Sequence, residues 1–238
     1  MKKVTIYRAS TRGTADYGWL KTHYSFSFSG YYNPQRIHFG ALRVLNDDLI
    51  EGGGGFPTHP HDNMEIITIP FSGALAHKDS MGSEEIIKHG EIQVMSAGTG
   101  ITHSEYNASA TEPVTLFQIW IFPDMKNVKP RYQQMMVDRE KMINTFSVAV
   151  SPIPTNNQLW IHQNAWLSMG IFDKNYQIDY AIKEKGNGLF VMIIEGECIV
   201  EGQKLQKRDA IGIEGVDSVK FEMLDDKTEI LIIDVPMM

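Results

Sequence analysis

Short runs rich in Val, Ile, Thr, Phe and Tyr follow one another along the whole chain, at 38–44, 65–71, 115–122, 189–194 and 230–235, each closed off by Gly, Asn, Asp or Pro. Runs of this length fit pleated strands, and turn residues at such short intervals leave little room for long helices. An all-β sandwich or barrel is the expected class. The best stretch with a helical period is 131–143, where Tyr132, Met135, Met136, Arg139 and Met142 recur near i, i+3, i+4, i+7 behind Pro130. It predicts a short linker helix and divides the chain into 1–130 and 131–238. Each part repeats a strand, a Gly-bearing turn and another strand, at 65–75 and again from Val191 through Gly196 to Gln203. Two small β-barrels in tandem account for the 238 residues, the strand density and the 20 glycines together.

Charge and cysteine content narrow the function classes. Lys and Arg number 22 against 29 Asp and Glu, a net charge of −7, so no nucleic-acid partner is expected. The single Cys198 forms no internal bridge and supplies no thiolate-rich metal site. Met1-Lys2-Lys3 leads into polar residues rather than the apolar centre of a secretion signal. The apolar runs are far shorter than the ~20 residues a bilayer demands. A soluble cytoplasmic protein with no membrane partner is expected. The glycines from Gly52 to Gly55 are not followed by Lys-Ser or Lys-Thr, so they do not read as a phosphate loop.

Histidine carries the chemistry. Seven of the eight lie between His23 and His103, and only His162 lies beyond. In Gly55-Phe56-Pro57-Thr58-His59-Pro60-His61 two imidazoles stand at i and i+2, which on a strand is one face. In Gly98-Thr99-Gly100-Ile101-Thr102-His103-Ser104-Glu105 an imidazole and a carboxylate repeat that spacing. Adjacent strands would converge three nitrogens and one oxygen, His59, His61, His103 and Glu105, on a divalent ion with open coordination positions, the condition for catalysis rather than structure. Without Cys the set disfavours structural zinc. Iron, nickel, copper, manganese and cobalt stay open as the ion. Gly98 and Gly100 fit a tight bend that delivers His103. His38, His77 and His89 lack a partner at metal spacing and read as surface or turn residues.

These residues resemble the cupins, on Gly53, His59, His61, Glu65 and Gly73 and then Gly90, Gly98 and His103. The stretches from His77 to Gly82, Gly90 to Gly98, His103 to Glu105, Thr115 to Pro123 and Lys129 to Gln133 are similar to the pirin family of bicupins. The second half, around Ile161-His162-Gln163, Glu195-Gly196-Glu197 and Arg208-Asp209-Ala210, is similar to the C-terminal cupin of quercetinase-like pirins. The resemblance implies a double-stranded β-helix, or jelly-roll barrel, in each part. It puts the metal on His59, His61, His103 and Glu105 in the first and makes Glu65 a supporting carboxylate; the second, with His162 as its one imidazole, is expected to hold no metal. The chain departs from the family pattern at Asp62-Asn63-Met64 and at Val94.

A divalent ion held by three neutral imidazoles and one carboxylate keeps a formal +1, which a singly deprotonated enol or phenol neutralises. That matches the activity the resemblance implies, a dioxygenase that opens a flavonol such as quercetin, or a related enolic compound, with O2. Glu105 would be both ligand and proton acceptor, and Phe56, Met64 and Met95, flanking the ligands, are the candidate substrate contacts. The family also implies an alternative, a non-enzymatic regulator that binds a protein partner in response to metal or redox state.

Overall fold

The computed structural model describes residues 1–155 and 158–238. Each half is a barrel made of one seven-stranded and one four-stranded sheet, with almost entirely antiparallel pairing. In the first barrel the small sheet carries Gly55–His61, Ile101–Asn107, Ala74–Asp79 and Glu84–Lys88, in that spatial order. The large sheet centres on Glu65–Ser72, Val114–Ile121 and Leu42–Ile50. The second barrel repeats the plan, with Asn187–Glu195 and Thr228–Pro236 at the centre of its large sheet.

Strand alternation explains how the barrels meet. In the strand Val114–Ile121, Phe117, Ile119 and Ile121 project to one face, and Leu116, Gln118 and Trp120 to the other. In Asn187–Glu195, Phe190, Met192 and Ile194 likewise part from Leu189, Val191 and Ile193. The first set from each strand joins one buried cluster with Leu45, Ile67, Val94, Leu167 and Ile233, so the two large sheets share a core between the barrels. Leu189, Val191 and Ile193 instead fill the second barrel with Cys198, Val200, Ile211, Phe221 and Ile232.

The barrels also exchange strands across the expected boundary. Lys3–Tyr7 pairs with Ala210–Glu214 in the second barrel. The stretch expected to be a linker helix is instead the strand Arg131–Met136, paired with Glu91–Ser96 at the edge of the first barrel, followed by a short 3₁₀ turn at Arg139–Met142. Its period-2 reading was hidden by its chemistry. Arg131 and Met135 face the second barrel, while Tyr132 lies 4.8 Å from the His77 ring. Pairing to an existing sheet edge satisfies the backbone without a helix, and tertiary context overrides the local period. The run expected at 38–44 is likewise displaced, to Leu42–Ile50.

Candidate metal centre and its cavity

The two metal-competent pairs lie on neighbouring strands. His103 sits directly opposite His59, and Ile101 opposite His61. The register then shifts, so that Glu105 faces Phe56 across the pair, a bulge of the kind that re-aims side chains beside sites. Gly98 makes the preceding bend: its φ is +49°, and a side chain there would overlap the Val128 carbonyl oxygen.

The candidate ligand atoms of His59, His61 and His103 all lie within 4.8 Å of one another. The His59 and His103 Nε2 atoms face each other at 3.0 Å. His59 Nδ1 is 2.8 Å from the Pro57 carbonyl oxygen, which only accepts, so Nδ1 carries the hydrogen and Nε2 presents a lone pair to the cluster. Burial, reinforced by the neighbouring imidazoles, holds the His103 pKa well below its usual value; burial and then His59 bring His61 down to about 4. Both rings are therefore neutral near pH 7. Neutral imidazoles turning lone pairs on one another are a favourable arrangement only around a cation, so the donor set fits a divalent metal ion.

Glu105 is 4% exposed, and its two carboxylate oxygens accept from Gln118 Nε2 at 2.9 and 3.0 Å. Burial raises its pKa to about 7, with Gln118 opposing the shift, so the carboxyl stands near its protonation midpoint. It lines the same cavity as the three histidines. That cavity has a volume of about 330 Å³, and Phe28, Phe56, Ile66 and Trp120 give it apolar walls, with Asn46, Asp48 and Gln118 among them. The Trp120 ring meets His61 edge to face at 4.9 Å.

Of the expected substrate contacts, Phe56 lines the cavity. Met64 and Met95 pack with Ile66, Ala97, Ile101 and Trp120 and are absent from its lining. Glu65 is buried behind the large sheet, where it accepts from Ser96 Oγ at 2.7 Å and lies 3.1 Å from His162 Nδ1 of the second half. His38 and His89 are exposed, as expected. His77 is not: it is 1% exposed, and its Nε2 lies 3.1 Å from His103 Nδ1. For His103 to present Nε2 to a metal, its Nδ1–H must donate to His77, which fixes the ring's tautomer and direction. Pairing of His103 with Asp79 and of Glu105 with His77 across the strands brings this about, a link invisible in the spacing of His77 along the chain.

Comparison with known proteins agrees with this architecture. The family model Pirin matches residues 6–121, and the model Quercetinase C-terminal cupin domain matches residues 148–235. A quercetin 2,3-dioxygenase of Escherichia coli K12 is 38% identical over 233 residues, 98% of this chain and 99% of that protein. Among solved structures, the bacterial pirin YhhW from Escherichia coli, in complex with nickel(II), superposes with a TM-score of 0.93 at 37% identity, covering 99% of this chain and 100% of that one. YhaK from the same organism gives a TM-score of 0.74 at 25% identity, covering 94% and 98%. With a near-full-length relative at that identity and the same two-barrel plan, the chain belongs to the pirin family of bicupins.

Proposed function

We propose that the protein is a metal-dependent dioxygenase that cleaves a flavonol, or a related enolic aromatic compound, with O2. One observation carries the reading: three imidazoles, two of them held neutral by burial, bring their ligand atoms within 4.8 Å of one another in a cavity with aromatic walls, and the buried Glu105 carboxylate lines the same cavity outside that cluster. The name of the Escherichia coli relative, quercetin 2,3-dioxygenase, supports it, and the nickel in YhhW supports a divalent transition metal here.

His59, His61, His103 and Glu105 would hold the metal, which when bound supplies Lewis acidity and a meeting point for substrate and dioxygen. The residues of the chain do the rest. Glu105 accepts the hydroxyl proton of the incoming enol, and Gln118 keeps its oxygens oriented. Phe28, Phe56 and Trp120 take a flat ring system between them and exclude water from the carbanion-like carbon that must meet oxygen. A site of formal charge +1 prefers a substrate monoanion. Iron(II) is the first choice of metal, and nickel is the ion seen in the relative.

The test is oxygen uptake by metal-reconstituted protein given a flavonol, preceded by elemental analysis. Uptake that requires both metal and flavonol is expected. Metal-loaded protein that binds the flavonol yet consumes no oxygen would remove the dioxygenase reading and leave a binding protein.

A further inference from the structure

The cavity over the imidazoles does not end at Phe56. A second hollow of about 220 Å³ adjoins it, shares Phe28, Asn46, Asp48 and Phe56 with it, and runs on to Trp19 and Tyr24. The aromatic lining is continuous: Phe28 packs against Trp120 at 5.2 Å on the metal side and against Tyr24 at 5.7 Å on the far side, while Trp19 packs edge-on to Phe56 at 5.1 Å.

At the junction stands a group of unused acceptors. Asn46 and Asp48 are two residues apart on one strand and point to the same side, and Asn46 faces Gln118 across the next strand pair. These side chains are 5%, 4% and 7% exposed. Yet among the described residues Asn46 Oδ1, Asp48 Oδ1 and Gln118 Oε1 have no hydrogen-bond partner at ordinary geometry; the Thr22 hydroxyl, which lines the same hollow, is the one protein donor beside Asp48. Each orphaned buried acceptor costs free energy, so native proteins rarely keep several side by side without a donor to meet them. Thr22 can serve one carboxyl oxygen; the remaining acceptors, Asn46 and Gln118 with the rest of Asp48, are left to what enters the cavity. Apolar rings on both sides select an aromatic body, and a row of acceptors selects hydroxyl groups while repelling a carboxylate.

We propose that this junction is a second recognition subsite, at which Asp48 and Asn46 accept hydrogen bonds from a hydroxyl on the distal ring of a two-ring phenolic substrate, with that ring seated toward Trp19 and Tyr24. The inference rests on the flavonol reading of the metal site and specifies which flavonols it prefers. A hydroxyl donated to a buried carboxylate is worth roughly 10- to 100-fold in affinity over a hydrogen at the same position.

The experiment is anaerobic titration of the metal-loaded protein with quercetin and with 3-hydroxyflavone, which keeps the enol but lacks the other hydroxyls. The wild-type protein should prefer quercetin by roughly 10- to 100-fold. Asp48→Leu should erase most of that preference, read as the ratio of the two affinities in the same variant, and Asp48→Asn, which keeps the shape and one acceptor, should lose an intermediate share. Circular dichroism and metal content report whether each variant is folded and loaded; should the leucine variant not fold, the asparagine variant decides. Equal affinity for the two flavonols in the wild type, absence of flavonol binding, or a preference unchanged in the folded variants overturns the subsite. An Asp48-dependent preference without oxygen uptake in air would keep the subsite and discard the dioxygenase. Oxygen uptake without such a preference would do the reverse.

Discussion

Replacing Asp48 by asparagine should change how stability depends on pH, not merely its size. Burial lifts the Asp48 pKa from its ordinary 3.8 to about 7. A carboxyl raised in the folded state favours folding while it stays protonated. Below about pH 4 the folded and unfolded forms both carry the proton, and the aspartic acid is no burden. Between pH 4 and 7 the unfolded chain ionises while the folded one does not, and stability falls with every unit. Above 7 both are ionised and the loss is complete. A rise of about three units at 1.36 kcal/mol each is on the order of 4 kcal/mol. Asp48→Asn keeps the volume and cannot ionise. Its stability relative to wild type should therefore grow by that amount between pH 4 and 7.5 and then level off. Urea unfolding of both proteins after chelator treatment, at pH 4, 5.5 and 7.5, measures it, and the shared contribution of Glu105 largely cancels between them. A difference that stays flat with pH would mean that Asp48 is ionised and solvated inside the cavity, and would refute the assignment of a dry carboxyl.

The other expectations concern the metal. His59→Ala and His103→Ala should each abolish most of the bound metal under elemental analysis; full content in both folded variants would sink the ligand assignment. In Glu105→Gln, reloaded at high metal concentration, turnover should fall on the order of 10²- to 10⁴-fold with part of the loss recovered as pH rises, and wild-type turnover across neutral pH would restrict Glu105 to a ligand role. His77→Phe should weaken metal binding roughly 10- to 100-fold, because the His103 Nδ1–H loses its acceptor, whereas His77→Gln, which restores a carbonyl acceptor, should recover part of it. Competition with a chelator of known affinity reads the difference, and equal affinity in all three proteins would leave His77 as packing alone.

The strands and the histidine pairs were legible because both depend on period 2, which the chain spells out locally. Adjacent-strand placement then brought His59 and His103 opposite each other, as the paired spacing suggested. What stayed hidden depends on partners far along the chain. Asn46-Asp47-Asp48 looks like a turn, yet it is the middle of the strand Leu42–Ile50. Asp47 faces the second barrel, where Arg12 and Arg208 each meet it at 3.1 Å, and its neighbours face the cavity. The arginines that make Asp47 tolerable in a strand come from both ends of the chain. His77 reads as a surface residue until its strand is laid beside that of His103. Met64 and Met95 drew attention by flanking the ligand motifs; Met95 sits in register with Ile66 on the cavity side of the large sheet, yet it is covered by packing with Met64, Ala97, Ile101 and Trp120 and does not reach the lining.

The contrast between the two barrels explains why the chain carries both. The second is filled with aliphatic and aromatic side chains around Leu189, Val191, Ile193 and Phe221. The first keeps Asn46, Asp48, Thr68, Gln93, Glu105 and Gln118 buried, several with orphaned oxygens or nitrogens, and its apolar interior is split into two small clusters, around Leu116 and around Ile66, beside a cavity. At about 1–3 kcal/mol per unmet polar group, such an interior consumes a stability margin of the size a whole domain possesses. It is sustained by the apolar core shared between the large sheets. The bracing reaches the back of the site. His162 of the second half holds Glu65, Glu65 holds Ser96, and Arg131 bridges Ser96 to the Trp160 carbonyl while its guanidinium lies 3.8 Å from the Trp160 ring centre. Ser96 ends the strand Glu91–Ser96, two residues before the Gly98 bend that leads to His103. The second half thus supplies the packing and the rigid backing that let the first barrel stay polar and hollow inside.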